Sequence, residues 1–560
     1  MKEIPIFVAA AGLLLITVKW AFFHGRRLPR HRVRLLRIRL RLRLHAGKGL
    51  ATIIELWWRW GRLAMIRHSS RTRPGLTFAQ RLFSPAAAYS VLAGRAHYRH
   101  ALRLPLDEHA VIFSPPRGGK TGWLARIILH YPGPVLSTTT KHDVFELTSG
   151  IRAQRGPVHL FNPQGVGAVP STFRWNPLAG CQDPAVAIRR ADAFANAVSQ
   201  KGVEDATFWA AKASDYLRGY FHAAALAGLD LRHVARWVSG IRPEEAEEIL
   251  YSTPGAAHYL AEQLAEMRGE ANKTISTVRM TMSRSLAFLA DPALTACVLP
   301  EEGQSLDIPE FLREAGTLYL IAETRGEDAP VAPLFACLAA EIHNIAALAG
   351  SLLPHGRLDP PLLMALDEVT QICPVPVPSW LADSGGKGIQ IITVAHGEAQ
   401  LRGRWGPDGS RIIMDTSGAK IWLPGISDTA TLDAASALCG TTAMKETRNI
   451  FGPHYDRHDL YARHPVMSPD MIRQLPGRYA LLLRGGMSPV IARLPMAWTD
   501  LTYKRARRAG HATAALTAAE PTRLWHEVPR PREPWPIDDP STDPIPSISE
   551  WDDPDRYPWQ

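Results

Sequence analysis

The stretch VIFSPPRGGKTGWLARIILHY, residues 111–131, sets an apolar run, a glycine-rich turn ending in Lys-Thr, and apolar residues at helical spacing in one line. A strand, a tight turn and a helix N-terminus in that order make a phosphate-sized hollow, because consecutive backbone N–H groups at a helix start point the same way. Each chemical part is present. Residues 109–113 read as a buried strand, Pro116 and Arg117 form the loop tip, and Gly118 and Gly119 permit close backbone approach. Lys120 reaches the terminal phosphates, Thr121 offers a hydroxyl to Mg²⁺, and Gly122 opens a helix whose inner face is Leu124, Ile127, Ile128 and Tyr131. Ser114 stands where the G-x-x-x-x-G-K-[ST] pattern has its first glycine.

A bare G-K-[ST] arises by chance about 0.3 times in a chain this long, so the motif requires a second nucleotide element. PPLLMALDEVTQI, residues 360–372, supplies one: an apolar run of strand length that ends in two acids. Asp367 at the carboxyl end of that strand would hold the Mg²⁺ shell, and Glu368 would orient the attacking water. GIQIITVAH, residues 388–396, is a third such run, and His396 at its end is placed to sense the γ-phosphate from a neighbouring strand. Strands at 133–140 and 316–324 complete a parallel sheet with helices on both sides. The expected fold class is therefore α/β, a P-loop NTPase. Asp367 follows Thr121 by 246 positions, far more than a few βα units need. Residues 183–290 show helical periodicity and few strand-like runs, which predicts an inserted all-α domain.

With 560 residues the chain exceeds what a single core organises. Its net charge of +11 is uneven. Residues 1–106 hold 21 Lys and Arg against Glu3 and Glu55, a balance of +19, and the remainder carries −8. The basicity thus belongs to the N-terminus, which argues against steering of DNA by the protein as a whole. Five scattered cysteines form no C-x-x-C pair, so a zinc or disulfide scaffold is not indicated and a reducing compartment suits the body. Residues 4–23 are apolar but for Lys19, and about 1.5 Å per residue makes them long enough for one bilayer crossing. Nine arginines follow between positions 26 and 43, where a cleaved signal peptide would have its cleavage site. The reading is an uncleaved single-pass anchor at 1–24, with the body in the cytoplasm. A basic juxtamembrane segment at 25–100, including the Trp/Arg-rich 53–68, is expected to lie along anionic lipid, with contact to DNA as the alternative. From about 511 to 560 the chain turns acidic and rich in Pro and Trp, with no regular period, and reads as a disordered tail.

PPRGGKTG, LLMALDEV, VAHGEAQLRGRWG, GAKIWLPGISDTATLDAASALCGTT and MSPDMIRQLPGRYALLLRGGMSPV occur in this order across roughly residues 100–500. Together they resemble the TraG/VirD4-type coupling proteins of type IV secretion and conjugation, in particular actinobacterial members. The resemblance implies a RecA-like motor over 101–182 and 291–510, with the all-α insertion at 183–290 and an N-terminal transmembrane helix. It also implies a membrane-bound ring, commonly a hexamer, that uses ATP and Mg²⁺ to pass DNA with bound relaxase into a secretion channel. Carried over residue by residue, Lys120, Thr121, Asp367 and Glu368 match the nucleotide site, and Gln400 matches the second glutamine of the sensor stretch. The first glutamine of that stretch is His396 here. An arginine that acts in trans in many relatives falls on Gly385, with Lys387, Arg402, Arg404 and Arg411 as the nearby cations. Two other functions compete: a nucleotide-gated substrate receptor with little hydrolysis, and a DNA translocase of the FtsK type.

Overall fold

Apolar runs of four to seven residues, each closed by a polar turn, suit strands covered on both faces. The computed structural model describes residues 49–96, 99–198, 206–269, 272–301, 303–324, 329–353, 355–449, 457–511 and 513. The expected anchor at 1–24, most of the arginine-rich stretch and nearly all of the acidic tail lie outside these residues. Contacts divide the chain into two units, residues 51–440 with 467 onward, and residues 1–50 with 441–466.

Eleven described strands of the larger unit form one mixed sheet. In chain order they are β1 (Ser90–Arg95), β2 (Ala101–Pro105), β3 (Ala110–Phe113), β4 (Val135–Thr139), β5 (Val158–Phe161), β6 (Thr317–Ile321), β7 (Leu362–Leu366), β8 (Ile389–Ala395) and β9 (Ala419–Trp422). β10 (Thr441–Asn449) and β11 (Arg457–Pro465) belong to the smaller unit, where they pair as an antiparallel hairpin. β12 (Tyr479–Arg484) and β13 (Val490–Arg493) return to the sheet. The spatial order is β2-β1-β13-β12-β9-β3-β8-β7-β4-β6-β5. From β9 to β5 every neighbouring pair is parallel, whereas β12, β13, β1 and β2 pair antiparallel. β3, β4, β6, β7 and β8 are buried at every position, which accounts for the unbroken apolar runs of β3 and β7 and the largely apolar β6 and β8.

Parallel neighbours require crossover connections, and the one from β5 to β6 contains only helices among the described residues. The α-helices among them run from Pro184–Ala197 to Ile308–Arg313. The first is started by Asp183, whose side chain accepts from the Ala185 N–H at 2.9 Å, with Pro184 in the first turn. It packs on the long helix Ala206–Leu226 and on Ala332–Leu352. Ala332–Leu352 is long and apolar enough to cross a membrane, yet most of that apolar stretch is buried in the fold, as in a core helix.

The folded body begins well before position 100, where the sequence reading ends the juxtamembrane segment. Leu56 and Trp60 are fully buried and share a core with Val91 of β1 and Leu102 and Leu104 of β2. The Arg484 guanidinium stacks over the Trp60 ring at 5.5 Å and donates to the Arg59 carbonyl at 2.9 Å. Arginines interrupt the apolar period in 53–105, so the stretch reads as surface, while Arg62, Arg73 and Arg103 are in fact bonded into the fold.

Candidate functional site

The parallel registers fix which loops meet. Phe113 pairs with Ala395 and Leu366 with Thr393, so the carboxyl ends of β3, β8 and β7 lie side by side. In open α/β sheets that edge is where ligands bind. The turn after β3 is held by Ser114 N–H donating to Ala395 O at 3.0 Å, and by Gly118 N–H donating to Pro115 O at 3.1 Å. Positive φ falls on Arg117 (61°) and Gly119 (93°), not on Ser114, so serine in place of the pattern's first glycine carries no backbone strain. Gly118 is required by space, since a Cβ there would lie 2.4 Å from Ser114 Oγ and 3.0 Å from Pro115 O. The helix Lys120–His130 then starts with no side-chain cap on its first N–H groups.

Lys120 meets both acids of the second element. Its Nζ lies 3.2 Å from Asp367 Oδ1 and is hydrogen-bonded to Glu368 Oε1, although lysine and glutamate are 248 positions apart in sequence. The Asp367 carbonyl accepts from Thr138 Oγ1 at 2.8 Å, which ties the strand end to β4. Burial opposes charge on Lys120, but Asp367 and Glu368 outweigh it and hold the ammonium above its usual range. Burial raises the Asp367 carboxyl to about 6, only partly countered by Lys120, and the Glu368 charge adds to the rise. Glu368 sits in the left-handed region at φ 51°, a strained place for a side chain and one that functional residues often occupy. His396 closes the cluster, with Nε2 3.2 Å from Glu368 Oε1 and Nδ1 donating to the Ser114 carbonyl at 3.0 Å. Gln400 Oε1 in turn accepts from the His396 N–H at 2.8 Å.

Glu368 Oε2 is buried without a hydrogen-bond partner, and buried Asp367 Oδ1 has the Lys120 ammonium beside it at 3.2 Å. Buried carboxylate oxygens in that state suit a hard divalent cation or its water ligands, so the donor set fits Mg²⁺. Lys120, Asp367, Glu368, His396 and Gln400 are thus brought together as expected. Thr121 follows directly on the helix, half-buried, and Pro116 and Arg117 are exposed at the loop tip.

Three of the four cations near Gly385 in sequence are already engaged. A Cβ at Gly385 would stand 2.4 Å from the Asp107 carbonyl, so this backbone path admits no arginine. Lys387 pairs with Asp383, Arg402 with Glu398 at 3.4 Å, and Arg404 donates to the Asn196 carbonyl at 2.7 Å. Arg411 is three-quarters exposed and 4.0 Å from Asp408.

Sequence reasoning missed the segment that covers the outer side of the glycine turn. Met496 Cε would lie 3.2 Å from a Cβ on Gly119, and the Trp498 ring would lie 2.2 Å from one on Gly122. A short polar-flanked MAWTD gives no periodicity that could have revealed this placement.

The profile of a family described as type IV secretory system conjugative DNA transfer matches residues 59–521. Among solved structures, the unbound monoclinic form of the bacterial conjugative coupling protein TrwBdeltaN70 is similar with a TM-score of 0.55 at 16% identity, over 74% of this chain and 90% of that one. Plasmid coupling protein TrwB in complex with a non-hydrolysable ATP analogue gives 0.53 at 16%, over 74% and 91%. TrwB in complex with ADP and Mg²⁺ gives 0.51 at 15%, over 75% and 89%. At such identities the likeness is one of fold. A comparison with curated proteins found no match.

Proposed function

The chain belongs to the type IV secretory system conjugative DNA transfer family, and on that premise we propose that it is a membrane-anchored ATP hydrolase that drives DNA, with bound relaxase, into a transfer channel. The observation that carries this reading is the meeting of Lys120 with Asp367 and Glu368 at the carboxyl edge of the parallel sheet. Backbone N–H groups from Arg117 to Thr121 cradle the phosphates, Lys120 binds their terminal oxygens, and Thr121 and Asp367 hold Mg²⁺. Bound there, Mg²⁺ would supply positive charge against the charge that develops on the phosphates. Glu368 accepts a hydrogen bond from the attacking water and takes its proton as the O–P bond to the γ-phosphorus forms and the bond to the leaving ADP oxygen breaks. His396, bonded to the P-loop carbonyl and lying against Glu368, reports the occupied state to the helix Glu398–Thr416 through Gln400.

The resting ion pair has a mechanistic consequence. Lys120 and Glu368 neutralise each other until phosphate draws the lysine away, so the base is released only in a loaded site. Lys120→Ala should therefore abolish turnover while the chain stays folded, and undiminished hydrolysis in that variant would remove the site assignment.

The inserted helical region at 183–290, the hexameric ring and the single-pass anchor belong to the same proposal. Support for the membrane comes from the apolar stretch at 4–23 with its following arginines. Ile53, Ile54, Trp57 and Trp58 are also about half-exposed or more, with Arg67 stacked on Trp58 at 5.4 Å, as suits a headgroup layer. A second reading, a nucleotide-gated receptor with little hydrolysis, is favoured by the blocked Gly385 and the engaged Lys387. Sustained DNA-stimulated turnover excludes it.

A further inference from the structure

The segment after β13 is fastened along the P-loop helix at both ends. Ala497 packs with Ala125 and Leu129, and Met496 lies against the Gly119 turn. The Asp500 carboxylate pairs with Arg126 at 2.9 Å and His130 at 3.0 Å. Between these points the one-turn helix Ala497–Thr499 is tightened by Thr499 Oγ1 donating to the Met496 carbonyl at 2.8 Å. Trp498 is thereby held with its edge on Gly122, where ring carbons Cζ3 and Cη2 would lie 2.2 and 2.3 Å from any Cβ. The Arg478 guanidinium lies over the ring, 6.0 Å from its centre, and Trp498 keeps 37% of its surface exposed.

Direction matters here. Each helical residue turns about 100°, so Gly122 faces roughly opposite Lys120 across the helix start. A nucleotide whose terminal phosphate lies at Lys120 and Glu368 runs its phosphates along the N–H groups of the turn, and its nucleoside leaves on the side of Gly122. An exposed, rigidly mounted indole stands on that side.

We infer that Trp498 is the stacking platform for the nucleotide base, with Arg478 as a positioning residue that holds the ring from its other face. This inference rests on the ATP-site reading above and adds the base-binding half of the pocket. Stacking recognises a π-face rather than a hydrogen-bond pattern, so the platform accepts adenine and guanine alike.

Calorimetric titration of the full-length chain in detergent with Mg·ADP, Mg·GDP and Mg·tripolyphosphate, the last carrying phosphates but no base, tests the assignment. Trp498→Ala should weaken ADP and GDP roughly 5- to 150-fold, the effect of losing one base stack, and leave tripolyphosphate unchanged. Trp498→Phe should restore most of the nucleotide affinity. Unchanged ADP binding in Trp498→Ala, an equal loss for tripolyphosphate, or a phenylalanine variant as weak as alanine would each overturn the platform. Lys120→Ala separates the two claims. If it leaves both ADP and tripolyphosphate bound as in the wild type, the phosphate site itself is wrong, whereas a loss in both with Trp498→Ala neutral removes the platform alone.

Discussion

Glu368 carries two loads, the Lys120 ammonium and the His396 ring. Glu368→Gln removes a carboxylate that competes with phosphate for Lys120, so ADP affinity should hold or rise in equilibrium binding, and weaker ADP binding would contradict the resting pair. Asp367 gives the site a pH dependence with a definite sign. Its folded carboxyl titrates near 6 against the usual 3.8, so the folded chain holds that proton more tightly than the unfolded chain. The stability this group contributes is full below about 3.8 and lost as pH rises through about 6. Mg²⁺ needs the opposite form. The ratio of Mg·ADP affinity between wild type and Asp367→Asn should fall about tenfold per pH unit below 6, the nucleotide's own titration cancelling in the ratio. A ratio that stays constant between pH 5 and 8 would show that this carboxylate does not hold the metal. The meeting of Lys120 with Asp367 was legible in the sequence, because strand, turn and helix periods converge on Lys120 and a second strand ends at Asp367. Trp498 was not, because its role comes from a tertiary contact with a glycine nearly four hundred positions earlier.

At the scale of elements, the buried parallel strands were readable and the antiparallel ones were not. β3 and β7 are unbroken apolar runs and β6 and β8 are largely apolar, a pattern that double-sided burial imposes. β1 ends on Arg95 and β2 is interrupted by Arg103, and nothing in their period separates them from a basic surface stretch. The crossover geometry depends on Arg152, a fully buried guanidinium that donates to Thr317 Oγ1 at 2.6 Å and to the carbonyls of Tyr131, Gly133 and Ala315 at 2.7, 2.8 and 3.1 Å. Burial without an acidic partner lowers its pKa to about 10, which still leaves it charged at neutral pH. Arg152→Ala strands those acceptors, and should lower stability by about 3 kcal/mol or more in urea unfolding. A loss within 0.5 kcal/mol would mean the loops close without it. Gly385→Arg tests the other element-level claim. Because the Asp107 carbonyl occupies the space of a Cβ there, restoring the arginine of relatives should lower the melting temperature and leave hydrolysis no faster. A faster, equally stable variant would show that the loop can open to admit a trans-acting cation.

For the whole molecule, the first 48 residues, whose sequence reads as an anchor followed by positive charge, lie outside the described structure. The full chain should therefore remain with membranes after an alkaline carbonate wash and leave them only in detergent, and release by carbonate would reduce the N-terminus to a peripheral contact. A ring motor, as proposed above, would have to couple hydrolysis to DNA, and nucleotide binding alone does not reach that claim. The most direct test is steady-state ATP hydrolysis by the detergent-purified full-length chain, with and without DNA, beside Glu368→Gln. The wild type should give many turnovers per chain, faster with DNA, and the variant should be slower by roughly 10²- to 10⁴-fold, the range for loss of a general base. Equal rates in the two proteins, or no turnover beyond a single nucleotide with DNA present, would contradict a motor built on the meeting of Lys120, Asp367 and Glu368.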